Sequence, residues 1–127
     1  MNSRIFDKCL AYSIEKFDLE GAAQQHFSFI IKKNTIVSYG INFRDKTNPL
    51  AIKYGYYEGY IHSELHSIIR FPYRPAKLKD CVLINIRLNR KFVPLLAAPC
   101  DFCKKLLAAF QPKEIYYSNN KGYFDLL

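Results

Sequence analysis

Apolar positions return at helical spacing near the start of the chain. Phe6, Cys9, Leu10, Ile14 and Phe17 lie on one face if the stretch from Asn2 to Phe17 is helical, and they predict an amphipathic first helix. Gly21 helps to end it. The period then changes. His26 to Lys33 and Thr35 to Phe43 are rich in β-branched and aromatic residues, with Asn34 between them as the tip of a hairpin. Asp45 to Tyr60 loses any period among Asn48-Pro49, Gly55, Gly59 and tyrosines, and reads as a loop. From Ile61 to about Phe71 the helical spacing resumes through Leu65, Ile68 and Ile69, stopping near Pro72 and Pro75. Asp80 to Leu88 alternates Val82, Ile84, Ile86 and Leu88, as a strand does. Pro99 stands where a first-turn proline belongs, ahead of a helical run through Leu106, Leu107 and Phe110 that Pro112 stops. Glu114 to Ser118 predicts another strand, and Lys121 to Leu127 an edge strand.

The predicted order is helix, strand, strand, helix, strand, helix, strand. Such an order specifies an α/β layered domain whose last strands are joined through helices and therefore run parallel. At 127 residues the chain suits one domain spanning 1–127. Half of the residues are hydrophobic and 16% are aromatic, which is enough for a core and leaves apolar surface over for association between subunits. Gly and Pro are sparse and no internal repeat is present, so disorder and solenoid architectures are excluded.

Charge narrows the partners. A formal net charge of +8 favours anions, meaning phosphates on a nucleotide or on a nucleic-acid strand. The basic residues are scattered, however, and form no nucleic-acid-binding arm. Arg4, Asp7, Lys8, Glu15 and Lys16 interrupt the first twenty residues and exclude a secretory h-region there. No apolar run reaches the roughly 20 residues a membrane-spanning helix needs. The expectation is a soluble, cytoplasmic protein with reduced cysteines. Cys9 and Cys81 sit inside apolar patterns and read as core residues.

Two short stretches carry the chemistry: His62-Ser63-Glu64 and Pro99-Cys100-Asp101-Phe102-Cys103, each opening a predicted helix. A catalytic zinc takes three protein ligands and keeps one position for water; one imidazole and two thiolates meet that need. On the first turn of a helix the two sulfurs of C-x-x-C lie on nearly the same side, where the N-terminal partial charge favours thiolate over thiol. His62, Cys100 and Cys103 are therefore the expected ligands of one zinc per chain. Glu64, two residues beyond His62, is placed to exchange protons with the water that such a metal acidifies. A closed structural zinc site has no use for that carboxylate, and a redox C-x-x-C leaves His62 and Glu64 unexplained.

The spacing H-x-E, then P-C-x-x-C about 35 residues on, is the known signature of zinc-dependent base deaminases. On these residues the sequence resembles the cytidine deaminase superfamily, which includes cytidine and deoxycytidylate deaminases, tRNA adenosine deaminases and polynucleotide cytosine deaminases. Lys46-Thr47-Asn48-Pro49 and Lys53-Tyr54-Gly55 look in addition like short deaminase-like proteins of bacteriophages. Ser63 departs from the alanine usual at its position. The resemblance implies a three-layer fold with a central mixed sheet of about five strands flanked by helices. It implies that Asn42 binds the sugar and that the Ser63 backbone N–H holds a base oxygen.

Weaker candidates surround these. Among Tyr54, Tyr56, Tyr57 and Tyr60, ahead of His62, Tyr60 could stack a base, although packing within a loop explains them equally well. Arg87, Arg90 and Lys91 could meet phosphate, with a solvated loop as the simpler reading. His66 invites an H-x-x-x-H reading, but a fourth ligand would displace the water, so it is assigned as a neighbour of the site; His26, on a strand, is assigned as structural. The leading expectation is a deaminase of cytosine in a nucleoside or nucleotide, deoxycytidylate-like, and homo-oligomeric. The residues after the fourth predicted strand leave no room for the long C-terminal helices of many polynucleotide deaminases. Cytosine or adenine in single-stranded DNA or RNA is the second substrate class. A binding protein that keeps the zinc site without catalysis is the third reading.

Overall fold

The central strands are apolar on both faces, and helices cover each. Strand β1 (Gln24–Lys32) turns Phe27, Phe29 and Ile31 to one side, and Ser28 and Ile30 to the other. Strand β3 (Val82–Asn89) divides in the same way, with Val82, Ile84, Ile86 and Leu88 against Leu83 and Asn85. The structure is a computed structural model that describes residues 3–42, 49–53 and 61–127. Helix α1 (Ser3–Lys16) brings Ile5 and Cys9 onto the first side. The opposite side is closed by Leu65 and Ile68 of α3 (Ser63–Ile69), by Cys103, Leu106 and Leu107 of α4 (Asp101–Phe110), and by Leu78 of a 3-10 turn at Pro75–Asp80. The result is helix, sheet and helices in three layers. Among the described residues no helix is long and apolar enough to cross a membrane.

The sheet is mixed, as expected, in the order β2-β1-β3-β5-β6. Strand β1 runs antiparallel to both β2 (Thr35–Ile41) and β3. Strand β5 (Glu114–Ser118) returns parallel to β3 after the α4 crossover, and β6 (Phe124–Leu126) adds the antiparallel edge. The β1–β2 hairpin turns on Lys33 and Asn34, whose φ of 50° and 62° place both in the left-handed region that a two-residue hairpin turn requires. Asparagine tolerates that region better than most residues.

Three features differ from the sequence pattern. The loop expected from Asp45 to Tyr60 contains a helix, α2 (Pro49–Lys53), which begins at the one residue type whose fixed φ suits a first helical turn. Residues 43–48 and 54–60 lie outside the described residues, and with them Tyr60, its tyrosine neighbours and most of the bacteriophage-like stretch. A two-residue strand, β4 (Pro94–Leu95), pairs with the end of β3 and has no counterpart in the apolar period. Finally, Pro99 is not in the first turn of α4. Cys100 is the N-cap, with extended φ −70° and ψ 172°, and the helix begins at Asp101. Backbone tethers explain the later start: Ala97 N–H donates to the Ser118 carbonyl at 2.9 Å, and Leu96 N–H to Asn120 Oδ1 at 2.8 Å. These hold the approach to α4 extended along the end of β5.

Helix α3 sits directly on β2 at Gly40. A Cβ there would stand 2.3 Å from the Ser63 carbonyl oxygen and 2.3 Å from the Ser67 amide nitrogen, both backbone atoms that no rotamer change can move. Gly40→Ala must push the start of α3 off the sheet. Denaturant unfolding should show a loss of about 1–3 kcal/mol, the range for an overpacked core. Zinc affinity should fall in the same variant, because His62 immediately precedes α3.

Candidate active site

Two helix starts meet at one end of the sheet. His62 caps α3 and Cys100 caps α4; their carbonyls accept from His66 N–H at 3.0 Å and Lys104 N–H at 2.8 Å, closing the first turn of each helix. Cys103, three residues into α4, is buried below Cys100. His62 Nδ1 lies 3.6 Å from Cys100 Sγ and 3.4 Å from Cys103 Sγ. All three donor atoms fall within 4.8 Å of one another. A tetrahedral zinc with its usual bonds of about 2.0–2.3 Å separates an imidazole nitrogen from a thiolate sulfur by about 3.6 Å. One borderline and two soft donors at that separation can hold zinc, and they leave a fourth position open.

The electrostatics suit a thiolate. Cys100 is pulled down to about 3, first by its hydrogen bond with Cys103, then by His62, against the opposing cost of burial. His62 is raised in turn, chiefly by its hydrogen bond to Cys100. Cys9, deep under α1, behaves in the opposite way: desolvation pushes its thiol up to about 12.

A cavity of about 360 Å³ opens in front of this cluster. His62, Cys100, Ser63 and Glu64 line it together with Asn42, His26, Ala97 and Ala98. No family model and no curated protein matches this sequence. Among solved structures, the crystal structure of cytidine deaminase from Burkholderia pseudomallei aligns with a TM-score of 0.63 at 13% identity. The alignment covers 100% of this chain and 92% of that one. The fold is that of the cytidine deaminases. The donor cluster lies where helices α3 and α4 of this cytidine deaminase fold begin.

Glu64 is 7% exposed yet reaches the cavity. Its carboxyl is held in a closed set of four side chains. Asn85 Nδ2 donates to Oε2 at 3.2 Å, and Ser63 Oγ lies 3.1 Å from Oε1. Ser28 Oγ completes the ring, 2.7 Å from Ser63 Oγ and 2.6 Å from Asn85 Oδ1. The two serine hydroxyls supply two protons for three oxygen–oxygen contacts. Ser28 donates to the amide oxygen and Ser63 to Glu64 Oε1, and the Ser63 hydroxyl can turn to accept from Glu64 once that carboxyl carries a proton.

The remaining candidates divide. Asn42 reaches the cavity and its Oδ1 accepts from the His26 backbone N–H at 3.3 Å. Ser63 lines the cavity, and its hydroxyl binds within the ring rather than standing inert as an alanine would. His66 is a neighbour and outside the donor cluster: its Nδ1 accepts from the Ile41 N–H at 2.9 Å, tying α3 to β2. Arg87 does not line the cavity. Its guanidinium donates to Gln24 Oε1 and to the Leu96 carbonyl, leaving it bound to the end of the sheet.

His26 is the residue the sequence reading undervalued. It stands on the cavity wall and also borders a second cavity of about 350 Å³ near Lys16 and Asp18. Burial lowers it to about 4, helped by the nearby Arg87 and His62 charges, so it faces the cavity as a neutral imidazole. The available signal was its period: His26 and Ser28 are polar on the face of β1 that carries Ile30.

Alkylation of the metal-free protein should separate its cysteines. Cys100 is exposed and its pKa in the folded protein, about 3, lies far below the ordinary thiol range, so it stays thiolate from pH 8 down to pH 5. Iodoacetamide should modify it first, at a rate nearly flat over that range, and Cys9 only on unfolding. Added zinc should protect Cys100; modification of Cys9 ahead of Cys100 would contradict the assignment.

Proposed function

We propose that this protein is a zinc-dependent hydrolytic deaminase that converts the cytosine base of a nucleoside or nucleotide to uracil. The observation that carries the reading is the position of Glu64: a buried carboxyl on the wall of the same cavity as His62 and Cys100, beside a donor set that fits zinc. The cytidine deaminase fold supports it. His62, Cys100 and Cys103 would hold the ion, which supplies a Lewis acid that lowers the pKa of a bound water toward about 7.

Hydrolytic deamination needs two protons moved in sequence. Glu64 takes one from the attacking water and delivers it to the ring nitrogen, as the water oxygen bonds to the amino-bearing carbon. Glu64 then takes the second proton from the new hydroxyl on that carbon and passes it to the amine. The carbon–nitrogen bond then breaks and ammonia leaves, while a carbonyl forms at the ring carbon. The side-chain ring around Glu64 accommodates both states of the carboxyl, because Ser63 Oγ accepts when Glu64 is protonated and Asn85 Nδ2 donates in either case.

The cavity walls supply orientation. Asn42 and neutral His26 offer hydrogen bonds on the cavity wall, suited to sugar hydroxyls, and the Ser63 backbone N–H would meet the base oxygen. A volume of about 360 Å³ matches one nucleoside unit. The net charge of +8 favours a phosphorylated substrate.

An ammonia-release screen decides the substrate class. Cytidine, deoxycytidine, their phosphates, the adenine and guanine counterparts, and single-stranded oligonucleotides should be compared with zinc-loaded protein. Turnover confined to cytosine monomers is expected; turnover of oligonucleotides alone would move the assignment to polynucleotides. Glu64→Ala should retain about one zinc per chain and lose roughly 10²–10⁴-fold in kcat, the range for loss of a general acid–base group. Full turnover in that variant would assign proton transfer elsewhere.

A further inference from the structure

Two buried polar side chains on the central strands have no role in the ligand set, yet both lead to Glu64. Ser28 is fully buried on β1 and Asn85 is 3% exposed on β3. They stand opposite one another in the β1–β3 register, on the sheet face that α3 covers. An uncompensated amide in such a place costs several kcal/mol, whereas a leucine of similar volume needs no partner at all. An asparagine in the middle of an apolar strand therefore calls for a reason beyond packing.

Buried serines outside this set offer a contrast. Ser13 bonds the Cys9 carbonyl, Ser38 the Ser67 carbonyl and Ser118 the Leu95 carbonyl, so each satisfies itself on backbone. Ser28 and Asn85 bond side chains instead. Ser28 Oγ sits 2.6 Å from Asn85 Oδ1, which fixes the amide's orientation by occupying its oxygen. The Nδ2 is thereby aimed at Glu64 Oε2, 3.2 Å away. Ser28 also touches Ser63 Oγ at 2.7 Å, the hydroxyl on the other carboxyl oxygen. Both oxygens of Glu64 are thus gripped by a unit anchored in the rigid part of the sheet.

We propose that Asn85 and Ser28 are positioning residues for Glu64. Asn85 sets the plane of the carboxyl, and Ser28 sets the amide that does so. Their effect on turnover rests on the proposed deamination; the holding of Glu64 does not. An arrangement of this kind keeps the carboxyl from swinging into the cavity or onto the metal ligands, and it lowers the reorganisation needed at each proton transfer.

Kinetics and spectroscopy test the two parts together. Asn85→Leu should lower kcat about 10–100-fold and Ser28→Ala about 3–10-fold, with zinc content unchanged and KM within about twofold. A merely structural role would lower the melting temperature and leave kcat of the folded fraction alone. In ¹⁵N–¹H spectra of the zinc-loaded protein, the Asn85 side-chain amide should exchange slowly with solvent. Its resonances should move in Glu64→Ala and in Ser28→Ala, but stay in place in Ser13→Ala on the α1 side of the sheet. An Asn85 amide that exchanges as an exposed asparagine does, or that ignores Glu64→Ala, overturns the proposal whatever the substrate. So does an unchanged kcat in both zinc-loaded variants of an active enzyme. If the amide behaves as expected and no substrate is turned over, the deaminase reading fails while the positioning of Glu64 stands.

Discussion

The backbone of α3 lies against β2 at Gly40 with no room for a Cβ, and much of the site depends on that approach. It brings the start of α3 down onto the sheet, so that His62 projects toward α4 and Glu64 tucks under the cavity floor. Two further bonds keep the contact in place: Ser38 Oγ to the Ser67 carbonyl at 2.7 Å, and Ile41 N–H to His66 Nδ1 at 2.9 Å. His66 thus contributes by fixing the helix that carries the donor rather than by donating to a metal. A helix held at van der Waals distance by backbone contact cannot drift by the ångström that would separate one donor atom from the other two.

The second helix is aimed differently. Among the described residues no glycine contact seats α4; the chain ahead of it is tied along the end of β5 by Ala97 and Leu96, while Ser118 Oγ bonds both the Leu95 carbonyl and the Arg87 N–H. Those tethers deliver Cys100 in extended conformation at the helix cap and put Cys103 beneath it. The cavity is therefore bounded by elements fixed independently, one through the β2 edge of the sheet and one through β5. Buried apolar clusters on both faces supply the rigidity, and the polar set Ser28, Ser63, Glu64 and Asn85 is built into one of them.

Much of this was legible in the chain. The layered α/β order, the hairpin at Asn34, the parallel β3–β5 pair and the edge strand β6 follow from periods of 3.6 and 2 with turn residues between them, and the three-layer mixed sheet was implied by the resemblance. His62, Cys100, Cys103 and Glu64 stood out because zinc chemistry restricts both residue type and spacing. Less legible were α2 and β4, each too short to show a period, and the cap at Cys100, which depends on tethers from residues about twenty positions away. His26 and Asn85 were passed over for a common reason. A single polar residue in an apolar strand reads as an exception until its neighbours across the sheet are known.

The sequence by itself determined the longer elements, their layering and the kinds of atom offered to a metal, since these depend on local period and on side-chain chemistry. Tertiary structure decided which of those atoms meet. It left Arg87 at the end of the sheet, bound to Gln24 and the Leu96 carbonyl, and brought His26 to the cavity wall. It also joined Ser28 and Asn85, 57 positions apart, into the grip on Glu64. The physical reason is register: pairing between β1 and β3 sets which residues stand opposite, and a shift of one position would turn Ser28 and His26 to the other face.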